Sequence, residues 1–258
     1  MSRPFRRTKR IVAVLGFGAA VALLVTLPGL ASAATALPSN HWIIRSGQQP
    51  RTADFDIKTT NRHWSAVLMR PGSFGTDYDV AVRRNGRTLA ASRTNTDGVD
   101  LVAIDSRRRG PQSYTARALQ VTGTGGTDEQ YRLVFSNGTS NIGAGRTLIP
   151  ARSGDQRNDV FVRDLFLRAG QTVTILVGDF HNPCPGTIGT LFLHTFLFSP
   201  GGASVQDRGQ AVGDGFTDEN VDGSCVVRIV HTASTTGWYG LVMFTFHFTQ
   251  TVVDISLT

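Results

Sequence analysis

Asp77-Tyr78-Asp79-Val80-Ala81-Val82-Arg83-Arg84-Asn85-Gly86-Arg87-Thr88-Leu89-Ala90-Ala91-Ser92 is the stretch that decides the fold. Successive side chains of an extended strand point to opposite faces, so Tyr78, Val80 and Val82 share one face while Asp77, Asp79 and Arg83 share the other. One face is core and one meets water. Asn85-Gly86 follows, and these two residues tolerate the positive φ that a tight hairpin turn demands, so the chain reverses there and resumes through Leu89-Ala90-Ala91.

The same grammar recurs outward in both directions. Short apolar or alternating runs at residues 64–69, 101–104, 114–121 and 131–135 are separated by Gly, Asn, Asp and Pro, and helical periodicity is nearly absent. The second half repeats the order. Asp164-Leu165-Phe166-Leu167 and residues 173–177 parallel Phe55-Asp56-Ile57 and residues 64–68. Residues 191–198, the turn Pro200-Gly201-Gly202 and Ala203-Ser204-Val205 parallel the hairpin quoted above, and residues 225–230 and 239–248 supply closing strands. A twofold internal repeat of about 110 residues is the economical description. The expectation is an all-β chain of two tandem antiparallel β-sandwich domains, jelly-roll or Ig-like, over residues 34–138 and 148–258. The polar, Gly-rich residues 139–147 are expected to link them.

Ahead of the first domain lies an export leader. Arg3, Arg6, Arg7, Lys9 and Arg10 precede an apolar run over residues 11–27, and Ala31-Ser32-Ala33 supplies the small-residue pattern for cleavage, giving a signal peptide over residues 1–33. The rival is a retained anchor, since the run approaches the short end of spanning helices, but Pro28-Gly29 breaks it. Arg6-Arg7 is not followed by the apolar residues of a twin-arginine signal. The leader's five cations and no acid take the formal charge of the chain from +7 to +2. The basic balance therefore largely reports the leader and is no nucleic-acid footprint. Arg107-Arg108-Arg109 before Gly110-Pro111 is most simply a solvated turn; its sharper reading is an anion or surface contact.

In an exported chain two cysteines favour a disulfide, here Cys184 with Cys225, which would restrict the unfolded chain by about 3 to 4 kcal/mol. Asn137-Gly138-Thr139 matches the glycosylation sequon, but with a leader of bacterial type it is read as chance.

The run Gly75-Thr76-Asp77-Tyr78-Asp79-Val80-Ala81-Val82, with Asn85-Gly86, Leu89-Ala90-Ala91-Ser92, Asp100-Leu101-Val102-Ala103 and the Tyr114 strand, resembles the bacterial pre-peptidase C-terminal domain family. That resemblance is clear over about residues 50–136 and weak over about 155–250. It implies secreted β-sandwich modules that commonly accompany exported hydrolases, some of them calcium-binding. The second copy departs from it: Phe192 and His194 stand where the first has Asp77 and Asp79, and an insertion-like loop at residues 179–190 carries Cys184.

No Gly-x-Ser-x-Gly elbow, His-Glu-x-x-His pair or phosphate-binding Gly loop is present. The metal candidate is the acidic set Asp77, Asp79, Asp97, Asp100 and Asp105, hard oxygen donors suited to calcium, with Asp77, Asp79 and Asp100 as its centre. The bland alternative is a hydrated strand face with turn-forming aspartates. A histidine set, His181, His194, His231 and His247, could take zinc with Cys184, but lacks ligand spacing. Trp42, Trp64, Trp238 and Tyr239 are the rings that could stack on a sugar. Trp64 opens an apolar strand and Tyr239 resembles a packed closing-strand tyrosine, so Trp42 and Trp238 are the better surface candidates.

The expected function is a secreted, non-catalytic binding or accessory protein for a polysaccharide, a cell-envelope component or another exported protein. Its competitors are a secreted hydrolase with dispersed residues such as Asp179, His181 and His194, and a protease-inhibitor-like protein that inserts residues 179–190 into a target. No cofactor other than calcium is expected.

Overall fold

A computed structural model describes residues 34–46, 52–60, 62–71, 77–94, 99–122, 130–150, 158–178, 192–218, 226–246 and 250–258. The leader, Cys184, Cys225, Asp97, Asp179, His181 and His247 lie outside the described residues. Among the described residues no helix is long and apolar enough to cross a membrane.

The architecture is all β. A first outer sheet has the strand order β1 (Thr35–Ala36), β3 (Thr52–Lys58), β8 (Ser113–Thr122), β5 (Asp77–Arg84), β6 (Arg87–Ser92). A first inner sheet has the order β15 (Val205–Asp207), β7 (Asp100–Ile104), β4 (Ser65–Pro71), β9 (Gln130–Asn137), β2 (His41–Ser46). A second inner sheet follows β10 (Ser140–Ile142), β12 (Asn158–Leu167), β18 (Gly237–Phe246), β14 (Phe192–Phe198), β16 (Gly213–Asp218). The second outer sheet follows β11 (Gly145–Pro150), β19 (Gln250–Leu257), β13 (Thr172–Gly178), β17 (Val226–Thr232). Pairing is antiparallel except that β1 runs parallel to β3 and β10 to β12. A single helical turn, α1 (Ser106–Arg109), follows β7 and is capped by the Asp105 side chain.

The hairpin is where the sequence puts it. Asn85 and Gly86 take φ of 49° and 76° between β5 and β6, the left-handed pair of a two-residue turn. Val80 and Val82 face the core, as their alternation requires.

Side-chain alternation then sorts the interior into three apolar layers. Phe55, Val80, Val102, Tyr131 and Leu133 fill the first sandwich, and Phe161, Ile175, Leu193, Leu241 and Ile255 the second. A third layer lies between the inner sheets: Ala66, Leu68, Leu101 and Val134 from one, Val160, Val162, Phe196, Phe198, Val242 and Phe244 from the other. Each Val, Leu, Ile or Phe among them stabilises by about 1.5 to 3 kcal/mol when fully buried. The inner strands are therefore buried on both faces. In β14, Leu193 and Leu197 point into the second sandwich while Phe196 and Phe198 point across the seam.

Ala34–Thr258 accordingly clusters as one compact unit. Residues 139–147, expected as a linker, carry β10 and the opening of β11, both hydrogen-bonded into the second pair of sheets. Ala203-Ser204-Val205 does not repeat the returning strand of the first hairpin. Val205–Asp207 crosses over and pairs antiparallel with β7, and Val205 packs in the first sandwich. The edge of β7 offers unpaired backbone groups, and β15 satisfies them.

Trp64 locks the seam. Its fully buried indole lies against Gly240, where a Cβ would come within 2.5 Å of the ring, so only glycine admits it. The indole N–H donates to the Trp238 carbonyl at 2.8 Å, and the Trp64 main-chain N–H donates to Asp164 Oδ1 at 3.0 Å. The other Asp164 oxygen is salt-bridged to Arg107 and has His63 Nδ1 at 3.4 Å. A second-half carboxyl with no exposed side-chain surface is thus held by groups of the first half.

Candidate functional site

Three of the five aspartates of the acidic set come together. Asp77 and Asp79 leave β5 at its N-terminal end and Asp100 opens β7. One carboxylate oxygen from each lies within 4.8 Å of the others. A register shift between Asp77 and Tyr78 marks a β-bulge, an irregularity that re-aims a strand end. Two elements of different sheets position the trio, so its geometry is set by the sandwich and not by a loop.

The trio is not the hydrated face that alternation suggests. Asp79 is 7% exposed and Asp100 1%. Ser92 Oγ, Thr94 N and Thr94 Oγ1 donate to Asp100 Oδ1 at 2.6, 3.0 and 3.1 Å, which fixes that carboxylate. The nearest cation to Asp79 is Arg93 Nε, 3.7 Å from Oδ2. Burial, then the neighbouring carboxylates of Asp100 and Asp77, push the Asp79 pKa up to about 6, with Arg93 opposing. Burial also raises Asp100, against the hydrogen bonds from Ser92 and Thr94. Like charges crowded in a poorly solvated site favour a proton or a cation. Asp105 stands apart: it follows the opposite end of β7, buried, and caps α1.

The aromatic candidates separate. Tyr239, expected as a ligand-binding ring, is instead fully buried, with its hydroxyl donating to the Thr235 carbonyl at 3.0 Å, so it presents no face to a ligand. Trp238 is half-buried at the rim of the seam. The Arg107 guanidinium covers its ring at 4.2 Å from the centroid, and Phe166 meets it edge-on at 5.2 Å. Arg107 also donates to Asn141 Oδ1 at 2.6 Å. One face of the indole is therefore already occupied by a cation. Trp42 lies in β2, and its side chain is outside the described residues.

The described histidines do not converge. His194 is buried on the seam side of β14 against Phe196 and Phe216, and burial depresses its pKa to about 3. His231 lies in β17 beside Tyr239. They sit in different sheets with aromatic neighbours. The disulfide expected between Cys184 and Cys225, and the loop at residues 179–190, fall outside the described residues.

Sequence reasoning missed one feature here and the partners of another. Asp164, the pivot of the seam, looks like one more strand aspartate; its signal was an Arg-Asp pair set between two apolar runs, Val160-Phe161-Val162 and Leu165-Phe166-Leu167. The Arg107-Arg108-Arg109 triplet is anchored as well as exposed: half-buried Arg107 bonds Asp164, while the exposed Arg108 and Arg109 bond the carbonyls of Pro200 and Gly202 and Ser204 Oγ.

No family model and no curated protein matches the sequence. Among solved structures, the N-terminal CBM22-1-CBM22-2 tandem domain of Xyn10C from Paenibacillus barcinonensis is similar at 13% identity and a TM-score of 0.20. That match covers 88% of this chain and 99% of the other. The ANX2 ectodomain from Arabidopsis thaliana is similar at 9% identity and a TM-score of 0.20, covering 82% and 90%. Likenesses this low leave function to be argued from the residues.

Proposed function

We propose that this chain is an exported, non-catalytic β-sandwich protein that binds a polysaccharide, a cell-envelope component or another exported protein, with calcium held at Asp77, Asp79 and Asp100. The observation that carries this reading is the convergence of three carboxylates within 4.8 Å at the end of the first sandwich. The donor set suits the ion. All three are hard oxygen ligands, two are buried, and the repulsion that Asp100 and Asp77 exert on Asp79 is one that a divalent cation would relieve. Asp100, anchored by Ser92 and Thr94, would serve as the fixed ligand and Asp79 as the responsive one. The leader and the likeness of residues 50–136 to pre-peptidase C-terminal domains support export and an accessory role.

The test incubates the protein with insoluble cell walls, chitin and cellulose, with calcium or with a chelator, and measures the bound fraction. Retention on one matrix that is lost on chelation, and lost in Asp79→Asn with calcium present, is the expected result. Equal retention with and without the chelator would remove calcium from the reading, and no retention on any matrix would turn it toward a protein partner.

A further inference from the structure

A cavity of about 380 Å³ opens where α1 faces the turn that leads into β15, walled by Arg108, Arg109, Ser204, Leu89 and Val205. Among the described residues that line it there is no carboxylate, and its only ionisable groups are the two guanidiniums. We infer that this cavity is a binding site for an oxyanion-bearing ligand of about monosaccharide size, carrying a carboxylate or a phosphate.

The two arginines are held in place before any ligand arrives. Arg108 Nη1 donates to the carbonyls of Pro200 and Gly202 at 3.0 and 2.7 Å, and Arg109 Nε donates to Ser204 Oγ at 2.7 Å. A guanidinium has five N–H donors in a rigid fork, so each of these anchored groups keeps donors on its remaining nitrogens. The nearby Asp105 accepts from the main-chain N–H of Arg108. Exposed guanidiniums restrained by such hydrogen bonds recognise carboxylate or phosphate through paired charge-assisted contacts, with less ordering cost than unanchored surface side chains. Leu89, 44% exposed, and the buried Val205 add apolar lining suited to the C–H faces of a ring. The volume falls in the range of small-molecule sites.

The site joins the halves of the chain. Arg108 and Arg109 come from the first half, and the turn they grip delivers β15 from the second. A bound anion would offset the repulsion between two adjacent cations and tighten that junction, so binding raises the melting temperature by ligand linkage.

The experiment is calorimetric titration of the full chain with glucuronate, with inorganic phosphate and with glucose as the uncharged control, at low and high salt, repeated on Arg109→Gln and Arg109→Lys, each checked for an unchanged melting temperature without ligand. At least one anion is expected to bind while glucose does not, with affinity falling as salt rises. Arg109→Gln should weaken it about tenfold or more, the effect of losing a paired charged contact, and Arg109→Lys should restore part of the loss. Binding of glucuronate alone assigns the carboxylate, and binding of phosphate alone assigns the phosphate. Absence of binding by both anions, equal binding of glucose and glucuronate, or binding unchanged in Arg109→Gln would overturn the inference. Because Arg109 is remote from the carboxylate trio in the fold, failure here leaves the calcium reading standing.

Discussion

Replacing Asp164 by Asn removes one charge and almost no volume, and so isolates the electrostatic part of the seam. In the native protein one oxygen accepts the Trp64 main-chain N–H at 3.0 Å and the other holds Arg107, with the Asp164 side chain fully buried. An asparagine can keep the first contact through its carbonyl, but its NH2 then faces a guanidinium, donor against donor. Breaking a fully buried ion pair from one side costs about 3 to 5 kcal/mol. Arg107 retains 24% side-chain exposure, so water offsets part of this and about 2 to 4 kcal/mol is expected. Urea unfolding followed by tryptophan fluorescence measures it, because Trp64 and Trp238 both border the pair. Arg107→Ala combined with Asp164→Asn should then cost clearly less than the sum of the single changes, as for groups in direct contact. A loss below about 1 kcal/mol for Asp164→Asn, or strictly additive effects, would refute the view that this pair holds the inner sheets together.

Two buried groups should tilt the pH dependence of stability in opposite directions. Asp79 has a folded pKa raised to about 6, so its contribution is fully present below about 3.8 and is lost as pH rises through 6. In chelator-containing buffer Asp79→Asn should therefore raise stability at pH 7 relative to pH 4, as read by thermal unfolding across that range. His194, depressed to about 3 by burial, stays neutral in the folded chain while the unfolded chain takes up a proton below about 6.5. Stability tied to it falls as pH drops from there toward 3, and His194→Phe should flatten that limb in the same scan. Gln206, 1% exposed, donates to the carbonyls of Ser199 and Ala203 at 2.8 Å each; Gln206→Ala leaves both short of a donor and should cost about 1 to 3 kcal/mol in urea unfolding. Gly240→Ala puts a methyl 2.5 Å from the Trp64 indole and should cost about 1 to 3 kcal/mol with a shift in tryptophan emission; a neutral result would mean that the indole can move aside.

Strand placement was legible because it depends on local alternation. The β5–β6 hairpin, β4, β7, β8, β9 and β13 fall where their side-chain periods put them. What stayed hidden depends on what lies opposite a face. Ala66-Val67-Leu68-Met69, Leu101-Val102-Ala103-Ile104 and Leu241-Val242-Met243-Phe244 are apolar at every position, and such runs mark strands covered on both sides. A single sandwich needs only one covered face, so these segments carried the signal for a third layer. The crossing of β15 was unreadable, since three residues of mixed character specify no partner. The aspartate trio was visible as a group, because Asp77 and Asp79 share a strand parity. The burial that perturbs Asp79 comes from the closure of β5, β6 and β7, which no local pattern encodes.

The crossing of β15 also sets a timetable. A ribosome delivers residues in order, and the first sandwich has the last strand of its inner sheet only when Val205–Asp207 has emerged, about a hundred residues after β7. Until then β7 presents an open flank, and the layer over Trp64 and Leu68 still lacks β18, which emerges later than β15. The early half must wait for the late half, so contacts between distant parts of the chain govern the pace of folding, and a chain cut short before residue 205 would expose that flank to its neighbours.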